Sequence, residues 1–528
     1  MIEFEVRDKD LLARIGRFRT KSGTVETPIF LPVINPAREV VKPRELWDLF
    51  GCNALITNAY IVKKYFGEKA KERGIHGILD FPGVVMTDSG AYQILAYGSV
   101  EVTNEEIIRY QEEIDTDIAT ILDVPTGWGV SSDHAKYTVD ETLRRAKELE
   151  NLRRRMDIAW VGPIQGGCFL NLVASSAREI GNLPFHIHAL GSPTPVMEQY
   201  LFTVLVDMVL TAKMNAPINR PFHLFGAGHP LIFPLIVALG CDIFDSAAYS
   251  LFARENRYLT DYGTMHLKDL EYLPCSCPVC VKYEPRDLME MPKDEREKNL
   301  SMHNLYVCFS EIRRVKQAIS EGRLWEYVEM KSHAHPSLLQ ALKNLKKYSE
   351  YIEKHSPQIK KRGLFFFSSI GLIRPEVTRH VRRLRERYSP PEWAKILILI
   401  PDLEAKNTRR RGLYRKIVSA VCEKAGLDPG IAHVCFYSPP FGVIPMELAE
   451  TYPLYQYEYA YPPDIESIKH IAHQILEYIN RSQYTTVILL VEDGWSKDLA
   501  EIYANGPYRD KIKIERLPLT SGVKKIIS

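Results

Sequence analysis

At 528 residues, 45% of them hydrophobic and 25% charged, the chain has ordinary globular composition and exceeds the length of a single domain. Lys and Arg number 68 against 66 Asp and Glu, a net charge of +2, so bulk charge carries no nucleic-acid signal and any RNA site must be a local patch. Apolar runs all fall short of the roughly 18–20 residues of a membrane span, the charged start Met1–Arg7 has no apolar leader core, and nine cysteines predict thiols rather than a disulfide framework; a cytoplasmic protein is expected.

From residue 1 to about 350, short β-branched runs alternate with longer amphipathic stretches. The strand-like runs are Asn53–Thr57, Gly83–Thr87, Ile118–Leu122, Ala159–Ile164, Phe185–Leu190, Phe222–Phe225 and Cys241–Asp245. Helix-like segments such as Asn104–Asp115, Asp140–Asp157 and Pro195–Met214 lie between them. About eight such units predict a parallel α/β fold of the (β/α)8 barrel type, with an open doubly wound sheet as the alternative. Asp88, Asp123, Gln165 and Asp245 stand at the ends of predicted strands, and in a barrel those ends converge on one mouth. An acid at the end of a buried strand is costly unless it is bonded or working. Each could instead cap the following helix, but three on one mouth favour a site, and paired carboxylates are the equipment of glycosidic chemistry. Gly226-Ala227-Gly228, after the run Phe222–Phe225, reads equally as a ligand contact or a tight turn.

Further along, Cys275-Ser276-Cys277-Pro278-Val279-Cys280 places three thiols in one short loop, and His303 follows on a predicted helix, Glu297–Ile319. Three thiolates and an imidazole suit tetrahedral zinc, and four protein ligands leave no open position, so the metal would be structural. The alternative is three free thiols beside a packed histidine. Residues 305–360 read as helical and highly charged, and a break follows at Lys360-Lys361-Arg362-Gly363. The catalytic barrel with its zinc site (275–303) is thus assigned to 1–350, and a smaller three-layer α/β domain to 363–528. Its predicted elements are strand Ile396–Pro401, helix Arg409–Ala425, strand His433–Ser438, helix Ile465–Ile479, strand Thr486–Glu492 and helix Lys497–Tyr503. Two basic runs, one holding Arg382 and Arg383 and the other Arg409, Arg410 and Arg411, are candidate phosphate contacts or solvated helix faces.

Taken together, these motifs resemble the tRNA-guanine transglycosylase family, most closely its archaeal branch, over about residues 3–350. The resemblance lies in Asp88-Ser89-Gly90-Ala91-Tyr92-Gln93, Leu122-Asp123-Val124-Pro125-Thr126, Ile164-Gln165-Gly166, His223–Pro230, Phe244-Asp245-Ser246-Ala247 and the Cys275/Cys277/Cys280 plus His303 set. It implies a (β/α)8 barrel with an inserted zinc subdomain. It also implies that Asp245 attacks ribose C1′ and Asp88 acts as acid and base, although the family's nucleophile has been assigned to either Asp. By the same resemblance, Asp123 and Gln165 bind the purine edge, Ser89 lies among the substrate contacts, Tyr92 stacks on the base, and Gly191 and Ser192 offer backbone contacts.

The implied reaction replaces guanine 15 in the D-arm of tRNA by 7-cyano-7-deazaguanine (preQ0), a step of archaeosine biosynthesis, and the implied assembly is a homodimer around the zinc region. Two departures stand out. Gly191-Ser192-Pro193-Thr194 replaces the usual archaeal Gly-Gly-Val-Val, and the glutamate of the bacterial pattern, which favours an aminomethyl base, is absent. Residues 505–528 are too few for the PUA domain of many archaeal relatives, so such a module is expected in trans, unless binding relies on residues 360–528. Ser438–Pro445 with Tyr452-Pro453 resembles a domain of archaeosine synthase, but Ile400-Pro401-Asp402 lacks that paralogue's cysteine, so amidine formation is not expected. The two other readings are a synthase-like enzyme acting on preQ0-containing tRNA and a non-catalytic tRNA-binding subunit; retention of both Asp88 and Asp245 argues against the second.

Overall fold

Eight parallel strands close on themselves in the first part of the chain. The computed structural model describes residues 2–91, 102–402, 413–492, 494–504 and 511–517, and the chain divides into two units, Met1–Tyr348 and Ser349–Ser528. The barrel strands are β1 (Ile29–Ile34), β2 (Ala54–Asn58), β3 (Val84–Asp88), β4 (Ile118–Thr120), β5 (Ala159–Ile164), β6 (Ile187–Leu190), β7 (Phe222–Leu224) and β8 (Ile243–Ser246). Each pairs with the next, and β8 pairs back onto β1 with Asp245 opposite Leu31, which rules out the open sheet. The sequence reading does not single out β1; Pro32 in its middle removes a backbone donor and masks the strand signal.

Side chains alternate along a strand, so one parity of each strand fills the barrel. The inward set is apolar below: Leu31, Ala54, Ile56, Val84, Met86, Ile118, Ala159, Val161, Ile187, Ala189 and Ile243 form one cluster. Phe18 and Val25 join it from an antiparallel sheet (Glu3–Asp10, Ala13–Arg19, Thr24–Thr27) that plugs the N-terminal end. Two residues further along the same inward parity, the strands carry Asn58, Asp88, Thr120 and Asp245 instead. The barrel is therefore greasy at its base, His223 on β7 apart, and polar at its C-terminal mouth.

Helices connect the strands. The one predicted over 140–157 starts earlier, at Ser132, because Ser131 caps it by accepting the His134 amide at 3.2 Å. The one predicted over 195–214 is two helices, Thr194–Glu198 and Phe202–Asn215, broken where Tyr200 takes a positive φ of 55°. After β8 come a short hairpin (Arg257–Leu259 with Thr264–His266), the cysteine loop, and a helix of 29 residues, Lys293–Glu321.

The second unit is built on a five-stranded sheet in the order Gly442–Pro445, Ala432–Ser438, Ile396–Pro401, Thr486–Val491, Lys513–Arg516. All neighbours are parallel except the first pair. Alternate residues of the central strand enter two separate cores, Ile396, Ile398 and Ile400 on one face and Leu397 and Leu399 on the other. A near-continuous apolar run is what burial on both faces requires.

Candidate active site and metal centre

The mouth of the barrel gathers three carboxyls. Asp88 is the last residue of β3, Asp245 belongs to β8, and Asp123 lies just beyond β4. Burial pushes the Asp88 carboxyl up to about 7, with the charges of Asp123 and Asp245 adding to the effect. Among the described residues, weak donors offset this in part: the Asn58 amide and the Gly90 N–H, both at 3.4 Å, with the Ser89 N–H beside them. Burial also raises Asp123, to about 6, against the hydrogen bond from Gln165.

Asp245 is held differently. Its Oδ1 lies 2.8 Å from His223 Nε2 and accepts the Gly226 N–H at 3.2 Å. The first glycine of Gly226-Ala227-Gly228 thus serves the carboxylate. Gly226 has a φ of 71°, and a methyl group there would strike Thr194.

Gln165 follows β5 directly, and its amide orientation is fixed by its partners. Oε1 accepts from the Thr126 N–H (3.1 Å), the Thr126 hydroxyl (3.2 Å) and the Ser192 hydroxyl (3.0 Å), while Nε2 donates to Asp123 Oδ2 at 2.5 Å. Ser192 also accepts the Gly127 N–H at 3.3 Å, tying together the loops after β4, β5 and β6. It does so with a φ of 62°, a left-handed conformation that a side chain rarely adopts; the hydroxyl's two bonds offset that strain. Gly191 leaves room for this network, because a Cβ there would collide with the Gln165 amide. Ser89 is fully buried, its hydroxyl accepting the Ala91 N–H at 3.4 Å. Tyr92 lies outside the described residues. His223 is the functional neighbour that sequence reasoning missed: it appears there only within a motif, and its one signal is a histidine on the inward parity of an apolar strand.

Cys275, Cys277, Cys280 and His303 come together with ligand atoms all within 4.8 Å of one another, a group able to hold a metal ion. His303 rides on the long helix and is fully buried. Its Nε2 bonds the Leu259 carbonyl at 2.9 Å, which turns Nδ1 toward Cys277 (3.5 Å) and Cys280 (3.2 Å). Tyr258 stacks on the imidazole at 3.7 Å and reaches Cys280 Sγ with its hydroxyl at 3.2 Å. A histidine oriented through its far nitrogen, facing three thiols, has the donor chemistry of tetrahedral zinc. The other six cysteines are free thiols.

Of the basic runs, Arg409, Arg410 and Arg411 lie outside the described residues. Within the other, Arg379 is buried on Glu353 and on the carbonyls of Pro357 and Ser356, so it is structural. Arg382 pairs with Glu353 at 2.6 Å, and Arg383 reaches Gln358 at 3.4 Å. Asp402 accepts the Tyr457 hydroxyl.

A closed parallel barrel with carboxyls of unequal character at its C-terminal mouth defines a barrel enzyme equipped for acid–base and nucleophilic chemistry. Residues 8–337 match the family model described as queuine tRNA-ribosyltransferase, and residues 377–514 match a domain of unknown function. The tRNA-guanine(15) transglycosylase of Sulfolobus acidocaldarius is 40% identical over 497 residues, covering 92% of this chain and 95% of that protein. That of Aeropyrum pernix is 45% identical over 462 residues (86% and 87%). That of Methanocaldococcus jannaschii is 42% identical over 465 residues, 86% of this chain but 68% of that longer protein. The chain belongs to the tRNA-guanine transglycosylase family, and its activity is of the pentosyl-transferring, glycosyltransferase type.

Two outcomes follow from this geometry. Gly191→Ala should leave the melting temperature within a few degrees but displace the Gln165 amide and raise KM for the base about tenfold or more, measured by radiolabelled base exchange. Cys280→Ser should lose its metal by elemental analysis and melt at lower temperature than the parent, since a thiolate ligand and the Tyr258 contact go together.

Proposed function

We propose that this chain exchanges the guanine at position 15 of tRNA for a 7-deazaguanine, specifically 7-cyano-7-deazaguanine, through an ester of ribose on Asp245. The observation that carries the reading is the contrast between Asp88 and Asp245. The first has a carboxyl raised to about 7 by burial and by its acidic neighbours, so it holds a proton near neutrality. The second has one oxygen fixed by two donors and, among the described residues, no donor on the other.

In the first step an Asp245 oxygen lone pair bonds to C1′ as the C1′–N9 bond breaks. The electron pair leaves on the purine, which takes the proton of Asp88. Guanine departs and the new base enters. Asp88 removes its N9 proton, the nitrogen pair forms C1′–N9, and the ester bond breaks with its pair returning to Asp245. Two inversions retain the sugar's configuration and need no nucleotide triphosphate.

Asp123 and Gln165 supply the reading of the base. Because Gln165 Oε1 is already occupied, its amide can offer the purine only an N–H, which suits the O6 carbonyl. Asp123 accepts from the N1 and N2 protons beside it. The segment Gly191–Met197 has no acidic side chain to meet an aminomethyl group, which favours the neutral nitrile base. The cysteine–histidine group holds zinc in a structural role, with Cys275, Cys277, Cys280 and His303 as ligands. A base inside folded tRNA must be exposed before it can enter, at a cost of a few kcal/mol. Arg382, Arg383, Arg409, Arg410 and Arg411 are proposed phosphate contacts; Arg382 would have to share its guanidinium with Glu353. The catalytic barrel is assigned to 1–350, with 363–528 as a second α/β domain. The substrates are tRNA and preQ0, a homodimer is the proposed assembly, and a separate PUA-type protein is the proposed partner in trans.

Incorporation of labelled preQ0 into unmodified tRNA tests the reading. Asp245→Asn should lower exchange by at least about 10³-fold and abolish a denaturation-resistant tRNA–protein adduct. An adduct that persists in Asp245→Asn, or a parent chain that incorporates no deazaguanine, would sink it.

The raised Asp88 carboxyl also fixes the sign of a pH effect. A folded-state value above the unfolded one means that the native state holds the proton more tightly, so stability falls as pH rises from about 4 through about 7. Asp88→Asn should therefore melt like the parent near pH 4 and gain on it as the pH approaches 8. A melting-temperature difference that does not change with pH would contradict this.

A further inference from the structure

His223 stands on the inward parity of β7, level with Ala189 of β6 and Ile243 of β8, and is fully buried. A polar ring in that apolar layer is costly unless it has work there. It makes a single hydrogen bond among the described residues: Nε2 to Asp245 Oδ1 at 2.8 Å. Its other nitrogen, Nδ1, is buried with no partner. The Phe225 ring, 4.4 Å away, packs against the imidazole and limits its rotation.

With Asp245 ionised, the bond requires the proton on Nε2, so the ring acts as a donor aimed at one carboxylate oxygen. The Gly226 N–H reaches the same oxygen. Two donors on Oδ1 fix the carboxylate's rotation and leave Oδ2 as the oxygen free to act.

We infer that His223 is the positioning residue for Asp245: it presents Oδ2 to the sugar and stabilises the carboxylate when the ribosyl ester is broken. The inference rests on the reading of Asp245 as the nucleophile. When Oδ2 bonds to C1′, the negative charge on the carboxylate is lost and Oδ1 becomes the ester carbonyl oxygen. Donors on Oδ1 weaken as that charge disappears and strengthen as it returns. They therefore favour the second displacement, in which the incoming purine nitrogen forms its bond and the C1′–O pair returns to Asp245. Losing the donor has two effects: the attacking oxygen is less well aimed, and the ester becomes a poorer leaving group, so the covalent form accumulates.

The test compares His223→Phe, which keeps the ring volume without the donor, with His223→Gln, whose amide nitrogen can reach the same carboxylate. The full chain is assayed with unmodified tRNA and labelled guanine. For the Phe variant we expect kcat to fall about 10- to 100-fold, the loss of one hydrogen bond to a charged group, with KM for tRNA changed less than about threefold. The fraction of protein trapped as adduct on a denaturing gel should rise. The Gln variant should recover most of the rate, and both should melt close to the parent. Exchange at the parental rate in the Phe variant would overturn the inference. So would a Gln variant no better than Phe, or an adduct that declines with the rate. Asp245→Asn serves as the control for the underlying reading: if it still exchanges bases, the nucleophile is elsewhere whatever the His223 variants do.

Discussion

Three carboxyls share the mouth of one barrel, and they cannot all be ionised there at little cost. The alternation of side chains on β3 and β8 and the turn after β4 bring Asp88, Asp245 and Asp123 into one neighbourhood. The protein settles the conflict by unequal solvation. Asp245 receives a short bond from His223 and the Gly226 N–H, Asp123 receives the Gln165 amide, and Asp88 receives longer contacts from the Asn58 amide and the Gly90 N–H at 3.4 Å. Burial raises both Asp88 and Asp123, and it raises Asp88 further, to about 7 against about 6. On the proposed roles, the division of labour between chemically identical side chains comes from how deeply each is buried and which backbone and ring nitrogens surround it.

Much of this was legible in the sequence. Seven of the eight barrel strands stand out as apolar runs, and Asp88, Asp123, Gln165 and Asp245 stand out as polar groups at their ends, because a parallel barrel buries each strand on both sides. The cysteine spacing pointed to three members of a group able to hold a metal, and the fourth, His303, needed the helix to bring it back. Three things were hidden for physical reasons. Pro32 disguised β1. His223 sits within an apolar run, where one letter cannot reveal which way a ring points. Ser192 looked like a departure from a glycine pattern, yet the structure uses its hydroxyl to lock Gln165, a long-range contact that spacing cannot foretell.

The second unit follows simpler rules. Its central strand, Ile396–Pro401, is apolar at every position and buried at every position, and its predicted elements fall within a few residues of the observed ones, the start of the helix predicted from Arg409 lying outside the described residues. The basic run on its helix Pro375–Glu386 illustrates how composition misleads. Five basic residues read as one positive stripe, but Arg379 is turned inward onto Glu353 and three carbonyls, and Arg382 shares the same acid. A charge run on a helix has to be divided by face before it counts as a surface.

The closure of the barrel carries one more consequence, for the order in which the molecule can be assembled. β1 leaves the ribosome well before the strand that hydrogen-bonds its open side, β8, which begins only at Ile243. Until then the nascent sheet has an unfinished edge, and its inward Leu31 and Val33 lack their neighbours. The cysteine loop and the long helix are made soon after that edge is sealed. Synthesis of the wall and of its clamp are therefore consecutive events, and the interval before them is when a nascent chain of this topology is most exposed to wrong pairing.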